Sequence, residues 1–228
     1  SFGSLDISGD IDIDGTANLD VVDIDGAVDI AGNLSVDGGT IKLDGNYPTG
    51  SNNVALGDTA LDDGSLSGGN NTAIGSGALT ANTSGAENVA VGGTALDANT
   101  TGAGNTAIGY AALGANTTAS SNTAVGKNAL AACTTGGSNV AVGLNAGDAI
   151  TTSPANTLLG HNAGSAISTG NGENVCVGNN AGALMTTGQQ NVFIGDQAAA
   201  GAAVTGATNT IVGDNAGHTL TSGANNAY

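Results

Sequence analysis

From residue 53 onward the chain repeats one short pattern of polar and apolar positions. An Asn is followed by Thr or Val, then a small or apolar residue, then Ile, Val or Leu, then Gly. The copies begin at Asn53, Asn71, Asn88, Asn105, Asn122, Asn139, Asn156, Asn174, Asn191 and Asn209. They stand 17 or 18 residues apart, and an eleventh opens at Asn226. So regular a period predicts a solenoid, with each repeat one coil stacked on the last. The three residues after each Asn predict a short strand.

Aligned on the Asn as position zero, the repeats become columns. Position one is Val or Thr throughout. Position three is Leu56, Ile74, Val91, Ile108, Val125, Val142, Leu159, Val177, Ile194 and Val212. These two columns share a strand face, and their apolar, largely β-branched character predicts that they form the core of the coil. Position four is Gly57, Gly75, Gly92, Gly109, Gly126, Gly143, Gly160, Gly178, Gly195 and Gly213, the expected corner where the chain turns. Position seven is Ala60, Ala78, Ala95, Ala112, Ala129, Ala146, Ala163, Ala181, Ala198 and Ala216. A column that accepts only a methyl group predicts close backbone approach, across the coil or against a neighbouring chain.

Positions two, eight and eleven change together. In the first five coils position two is Ala and position eight is Leu61, Leu79, Leu96, Leu113 and Leu130. From Gly147 onward position eight is Gly or Ala, while position eleven supplies Ile150, Ile167, Met185 and Leu220. Position eleven had been Asn82, Asn99 and Asn116 in coils two to four. Position two grows in turn, to Leu158, Cys176, Phe193 and Ile211. Exchange of volume between columns predicts one shared apolar space, with a change of packing scheme near residue 147. Position two points away from positions one and three, yet it too is never polar. A strand apolar on both faces needs cover on both, so sister subunits are expected to cover position two; the alternative is a kinked strand that returns position two to its own interior.

Residues 1–46 carry a different repeat. Leu5-Asp-Ile-Ser-Gly9, Ile11-Asp-Ile-Asp-Gly15, Val22-Asp-Ile-Asp-Gly26 and Ile41-Lys-Leu-Asp-Gly45 alternate apolar and mostly acidic residues. Period two with a Gly after each run predicts short strands of a narrow β-helix or β-prism, wrapped with other chains. Residues 47–52 read as a junction turn, and 53–228 as the solenoid, ten coils and the start of an eleventh. Because the last repeat is cut at Tyr228, the natural chain is expected to continue.

Asn71-Thr-Ala-Ile-Gly75, Asn88-Val-Ala-Val-Gly92 and Asn105-Thr-Ala-Ile-Gly109 resemble the YadA-like head repeats of trimeric autotransporter adhesins and related β-solenoid repeats of bacteriophage tail fibres. The resemblance covers residues 53–228. It implies a parallel β-roll, one turn per repeat, with three chains side by side. These repeats are longer than the adhesin-head repeat, which leaves room for an outer loop. The acidic first segment resembles the shaft of a phage fibre more than an adhesin neck.

Composition narrows the functions. Forty Gly, no Trp and two Phe leave no material for an ordinary core. Two Lys against 19 acidic residues give a formal charge of −17. Lys42 and Lys127 cannot build a basic groove, so neither nucleic acid nor an anionic membrane is an expected partner. The longest purely apolar and Gly run, Ala198 to Val204, is too short for membrane insertion.

Catalytic and cofactor chemistry is not expected. His161 and His218 fall at different positions of distant coils, and no Ser or Thr has His and Asp ordered around it. Gly102-Ala-Gly104 lacks the Lys and the helix of a phosphate loop. The Thr pairs that follow position eleven, such as Thr100-Thr101, read as turn residues. Cys133 and Cys176 lie three coils apart, roughly 14 Å at about 4.8 Å per coil, too far for a disulfide. The one weak metal candidate is Ca²⁺ at Asp12, Asp14, Asp23 and Asp25, although the nonapeptide of calcium-binding rolls is missing.

The expectation is therefore an all-β parallel β-solenoid, trimeric, acting as a rigid spacer in a bacteriophage tail fibre or similar virion appendage. Its expected partners are itself, other virion or fibre proteins, and a host cell-surface receptor. The head of a bacterial surface adhesin and an extracellular self-assembling filament are the alternatives, and the location is the virion or the cell surface.

Overall fold

The structure is a computed structural model and describes residues 51–170 and 172–227. The acidic segment expected over 1–46, the calcium candidates within it and most of the junction lie outside the described residues.

Each repeat contributes one three-residue strand: β1 is Val54–Leu56, β2 Thr72–Ile74, β3 Val89–Val91, β4 Thr106–Ile108, β5 Thr123–Val125, β6 Val140–Val142, β7 Thr157–Leu159, β8 Val175–Val177, β9 Val192–Ile194 and β10 Thr210–Val212. They form one parallel sheet in sequence order. Every residue pairs with its counterpart one repeat later, as in Ala90 with Ala107 and Cys176 with Phe193. The described residues thus form the all-β parallel solenoid that the period predicts.

Strands make up only a small part of each coil, yet backbone bonding between coils continues around the perimeter. The N–H of position one donates to the Asn carbonyl of the next coil, as from Val89 to Asn105 (2.8 Å). The corner Gly109 N–H donates backwards to Val91 (2.8 Å), and Leu96 donates forwards to Ala112 (3.1 Å). Thr83 donates to Thr100, and Thr100 to Thr117. At about 1 kcal/mol net per bond, this ladder lets a Gly-rich chain with a thin core hold one shape.

The corners explain two columns. At Gly92 φ is +135°, and a Cβ there would lie 2.6 Å from the carbonyl oxygen of Gly109 on the next coil. Backbone meets backbone, so nothing larger than hydrogen fits. The Ala of position seven is buried in coils one to nine and half-buried in the last, Ala216. Its close approach is therefore across its own coil.

The interior differs from the sequence expectation in one major respect. Position two is the buried side of the strand from Ala73 to Ile211, and Phe193 is among the largest fully buried side chains. Positions one and three, expected as the core of the coil, face outward in every strand. Leu56 is 58% exposed, Ile108 40% and Val212 55%.

The cause is the Asn at position zero, which shares its strand face with position two. It is buried in all ten coils. Its side chain bonds twice. The Asn88 Nδ2 donates to the Gly102 carbonyl of its own coil (2.9 Å), and its Oδ1 accepts the backbone N–H of Asn105 (2.9 Å). The Oδ1 pairing recurs in every coil from Asn53 to Asn226, while Asn156 Nδ2 turns instead to Ser153 and Pro154 of the loop before it. A buried amide so fully bonded fixes which face turns inward.

The shared apolar space predicted for positions two, eight and eleven is this interior. A Cβ at Gly147 would lie 2.6 Å from Leu158 Cδ1, and one at Gly182 would lie 3.0 Å from the Phe193 ring. Position-two side chains of the second half fill the volume that position-eight leucines occupy in the first.

Candidate interaction surface

Two outward features remain once the interior is assigned. The first is the strand face itself, columns one and three. It is Thr or Val beside Ile, Val or Leu in every coil, half-buried or exposed along its length. No charged side chain interrupts it between Val54 and Val212.

The second is column five, just past the corner glycine. It reads Asp58, Ser76, Gly93, Tyr110, Lys127, Leu144, His161, Asn179, Asp196 and Asp214. The glycine column before it is invariant, while this column changes in nearly every coil. Tyr110 is 58% exposed and Leu144 42%; Lys127 and His161 are exposed as well. The Tyr110 ring rests over Gly93, where a Cβ would lie 3.4 Å from Cδ2 and 3.7 Å from Cε2. Further along, His161 Nδ1 meets Asn179 Oδ1 at 3.0 Å, and Asn179 Nδ2 donates to Asp196 Oδ1 at 2.8 Å. A carbonyl oxygen only accepts, so His161 carries its proton on Nδ1 in that contact.

Column six beside it is an amide ladder. Asn128 donates to Asn145 (3.2 Å), Asn145 to Asn162 (3.3 Å) and Asn162 to Asn180 (3.1 Å). These residues have φ between 53° and 58°, the left-handed region that Asn tolerates best among non-glycine residues.

The remaining candidates do not converge. His161 and His218 stay apart; His218 packs over Gly201 in the last coil. Among the described residues no group of three metal-ligating side chains comes together. No helix of the described residues is long and apolar enough to cross a membrane. Gly102 and Gly104 sit in the turns that return each coil to its strand. In the Thr pairs that begin at Thr100, Thr117, Thr134 and Thr151, the first hydroxyl bonds the next coil, as from Thr100 Oγ1 to the Thr117 carbonyl (3.0 Å), and the second residue is exposed.

Cys133 and Cys176 are free and buried. Burial pushes the Cys133 thiol up to about 11 against a weaker opposing hydrogen bond to Gly136, and burial alone pushes Cys176 up to about 12. Neither is a nucleophile near neutral pH. Burial also raises the carboxyls of Asp97 and Asp148.

Sequence reasoning used the Asn column only as a counter and missed its role as the interior hydrogen-bond spine. The signal was present, since a polar residue at one fixed place in every coil must be bonded if buried. A second amide column at position eleven joins Asn82, Asn99 and Asn116 (2.9 and 2.7 Å). It stops at Asn116, whose Oδ1 is the one buried side-chain polar atom without a partner among the described residues. Cys133, the next residue in the column, turns its Sγ to the Gly136 carbonyl instead (3.1 Å).

Nothing matches the chain among family models, curated proteins or solved structures.

Proposed function

We propose that this chain is a structural segment of a fibre, a rigid spacer in which three copies pack side by side through the outer face of the parallel sheet. The observation that carries this reading is the continuous apolar character of columns one and three. Ten coils repeat a Thr or Val beside an Ile, Val or Leu, although the face lies open on a single chain. A parallel sheet apolar on both faces needs cover on both, and an exposed apolar stripe of this length marks an association surface. The resemblance to adhesin-head and phage-fibre repeats favours three chains, and the acidic alternation of residues 1–46 favours a bacteriophage tail fibre or similar virion appendage. In this role the solenoid holds a tip away from a surface and meets the host through its outer columns.

The test is the native mass in solution. Three chains of 21.4 kDa each are expected. Ile108→Asp together with Val142→Asp, both on the outer face, is expected to give a folded monomer with unchanged circular dichroism. A wild-type monomer at micromolar concentration would sink the assembly reading.

A further inference from the structure

We infer that column five, over the fourth to seventh coils, is a binding site for a linear glycan that carries carboxylate groups. The inference rests on the reading of the chain as an exposed fibre segment and adds the ligand class that this segment takes.

The first observation is the placement of scarce chemistry. The chain has two Lys, no Arg, two His and three Tyr. Tyr110, Lys127 and His161 nevertheless occupy the same column, in coils four, five and seven. In a solenoid, equal position means one line along the axis, with about 4.8 Å between neighbouring coils. The residues therefore form a straight row: ring, ammonium, the aliphatic Leu144, imidazole.

The second observation is the state of each member. The Tyr110 ring is backed by Gly93 and leaves its other side open, at 58% exposure. A ring seated on a glycine is a flat apolar platform with a polar hydroxyl at its edge, suited to stack on the C–H face of a sugar. Lys127 has no ion-pair partner among the described residues, although the chain is strongly acidic. The carboxylates of this column stand elsewhere, at Asp58 in the first coil and at Asp196 and Asp214 in the last two. Two coils, roughly 10 Å, separate His161 from Asp196, about one screening length at physiological salt. Among the described residues the row thus keeps its single fixed cation clear of the carboxylates of its own column. His161 is held through Asn179, and its Nε2 makes no hydrogen bond among the described residues.

Together these groups suit a chain-like ligand lying along the fibre axis. A sugar ring is about as long as one coil's rise. Successive sugars would meet the Tyr110 platform, the Lys127 ammonium, the Leu144 side chain and His161 in turn. The ammonium selects a carboxylate in this otherwise anionic setting, and the half-buried amides of column six offer further hydrogen bonds to hydroxyls. A free phosphate has no ring face to lay on Tyr110, and a nucleic acid sets a charge on every residue against the single cation of the row; the glycan that fits is one whose carboxylates are spaced by neutral sugars, so that one of them meets Lys127.

The test is titration of the full chain with hyaluronan oligomers, whose carboxylates alternate with neutral sugars, and with the more densely charged oligogalacturonate and polysialic acid oligomers, at 50 and 300 mM salt. Neutral cello-oligosaccharides serve as the comparator. At least one acidic oligomer is expected to bind, roughly three- to fivefold more weakly at the higher salt, the loss that one cation contact gives over a sixfold rise in salt. Tyr110→Ala should weaken that binding at least tenfold. Lys127→Gln should weaken it about tenfold and remove most of the salt dependence, with native mass and melting unchanged in both variants. Absence of binding to all three acidic oligomers, or binding insensitive to both substitutions, overturns the site. A change of native mass in Tyr110→Ala also overturns it, because column five would then be an assembly contact. A trimer that binds no glycan removes this site and leaves the fibre reading intact; a monomer that binds does the reverse.

Discussion

The first five coils and the last five enclose the same kind of interior with different side chains. In the first half a leucine at position eight fills it, from Leu61 to Leu130, and the strand contributes only Ala. Each of these leucines has φ of 52° or 53°, a left-handed conformation that costs an L-residue roughly 1 kcal/mol or more. In the second half that place goes to Gly147, Gly164, Gly182, Ala199 and Gly217, still at positive φ for each. The bulk moves to Leu158, Phe193 and Ile211 on the strand and to Ile150, Ile167 and Met185 at position eleven. The backbone turn is the same in both halves; what differs is which wall carries the volume. A fixed outline can be filled from several sides, provided that the total is kept.

The sharpest way to break this comparison is to strike the part that both halves share. Gly109→Ala in the first half and Gly178→Ala in the second each place a Cβ near a carbonyl oxygen of the next coil, at 2.5 and 2.3 Å, with φ of +135°. Both are expected to cost about 4 kcal/mol or more, seen as loss of the cooperative melt by circular dichroism. Tolerance in one half alone would mean that the corners are not equivalent.

Removing bulk should distinguish the halves. Phe193→Ala is expected to cost about 3–5 kcal/mol and Leu113→Ala about 2–4 kcal/mol. Leu113→Gly should cost no more than Leu113→Ala, because Gly relieves the left-handed strain that Ala keeps. If Gly proves worse by about 1 kcal/mol, as in an ordinary element interior, the strain account fails. Exchange is tested at the border. Gly147→Leu alone should destabilise by about 2 kcal/mol through collision with Leu158. Combined with Leu158→Ala it should cost less than either change alone, and simple additivity would deny that the two sites share one space.

The smallest expected effect concerns charge. Burial raises the folded carboxyls of Asp97, in the first half, and Asp148, in the second. Between the ordinary carboxylate value and those raised values, the folded state binds more protons than the unfolded one. Stability should therefore rise as the pH falls from 7 through that window, and relief of the net charge of −17 acts in the same direction. Asp63, lowered by the Ser65 hydroxyl and N–H, opposes this below the ordinary value. A small net rise in melting temperature, reduced in Asp97→Asn with Asp148→Asn, is the expected reading. A fall on acidification to pH 5 would contradict it.

Much of the fold was legible before any coordinates. The coil length, the glycine corners, the alanine column and the change of scheme near residue 147 all follow from columns of equal residues. The position of Tyr110, Lys127 and His161 in one column was equally plain, but their exposure was not, since the direction of the chain after a corner depends on φ at that corner. The inner face of the strand was misread because both faces are apolar. Val, Ile and Leu at positions one and three are bulkier than Ala at position two, and size alone pointed the wrong way.

By itself the sequence determined the repeat, its register and the places where only hydrogen or a methyl group fits, because stacking makes every residue a neighbour of its own counterpart. Only the tertiary structure decided inside from outside. A buried amide at position zero must find its partners across the coil, and strand alternation then carries position two inward with it. That leaves the larger apolar residues facing out, on the surface through which the chain is proposed to meet its copies.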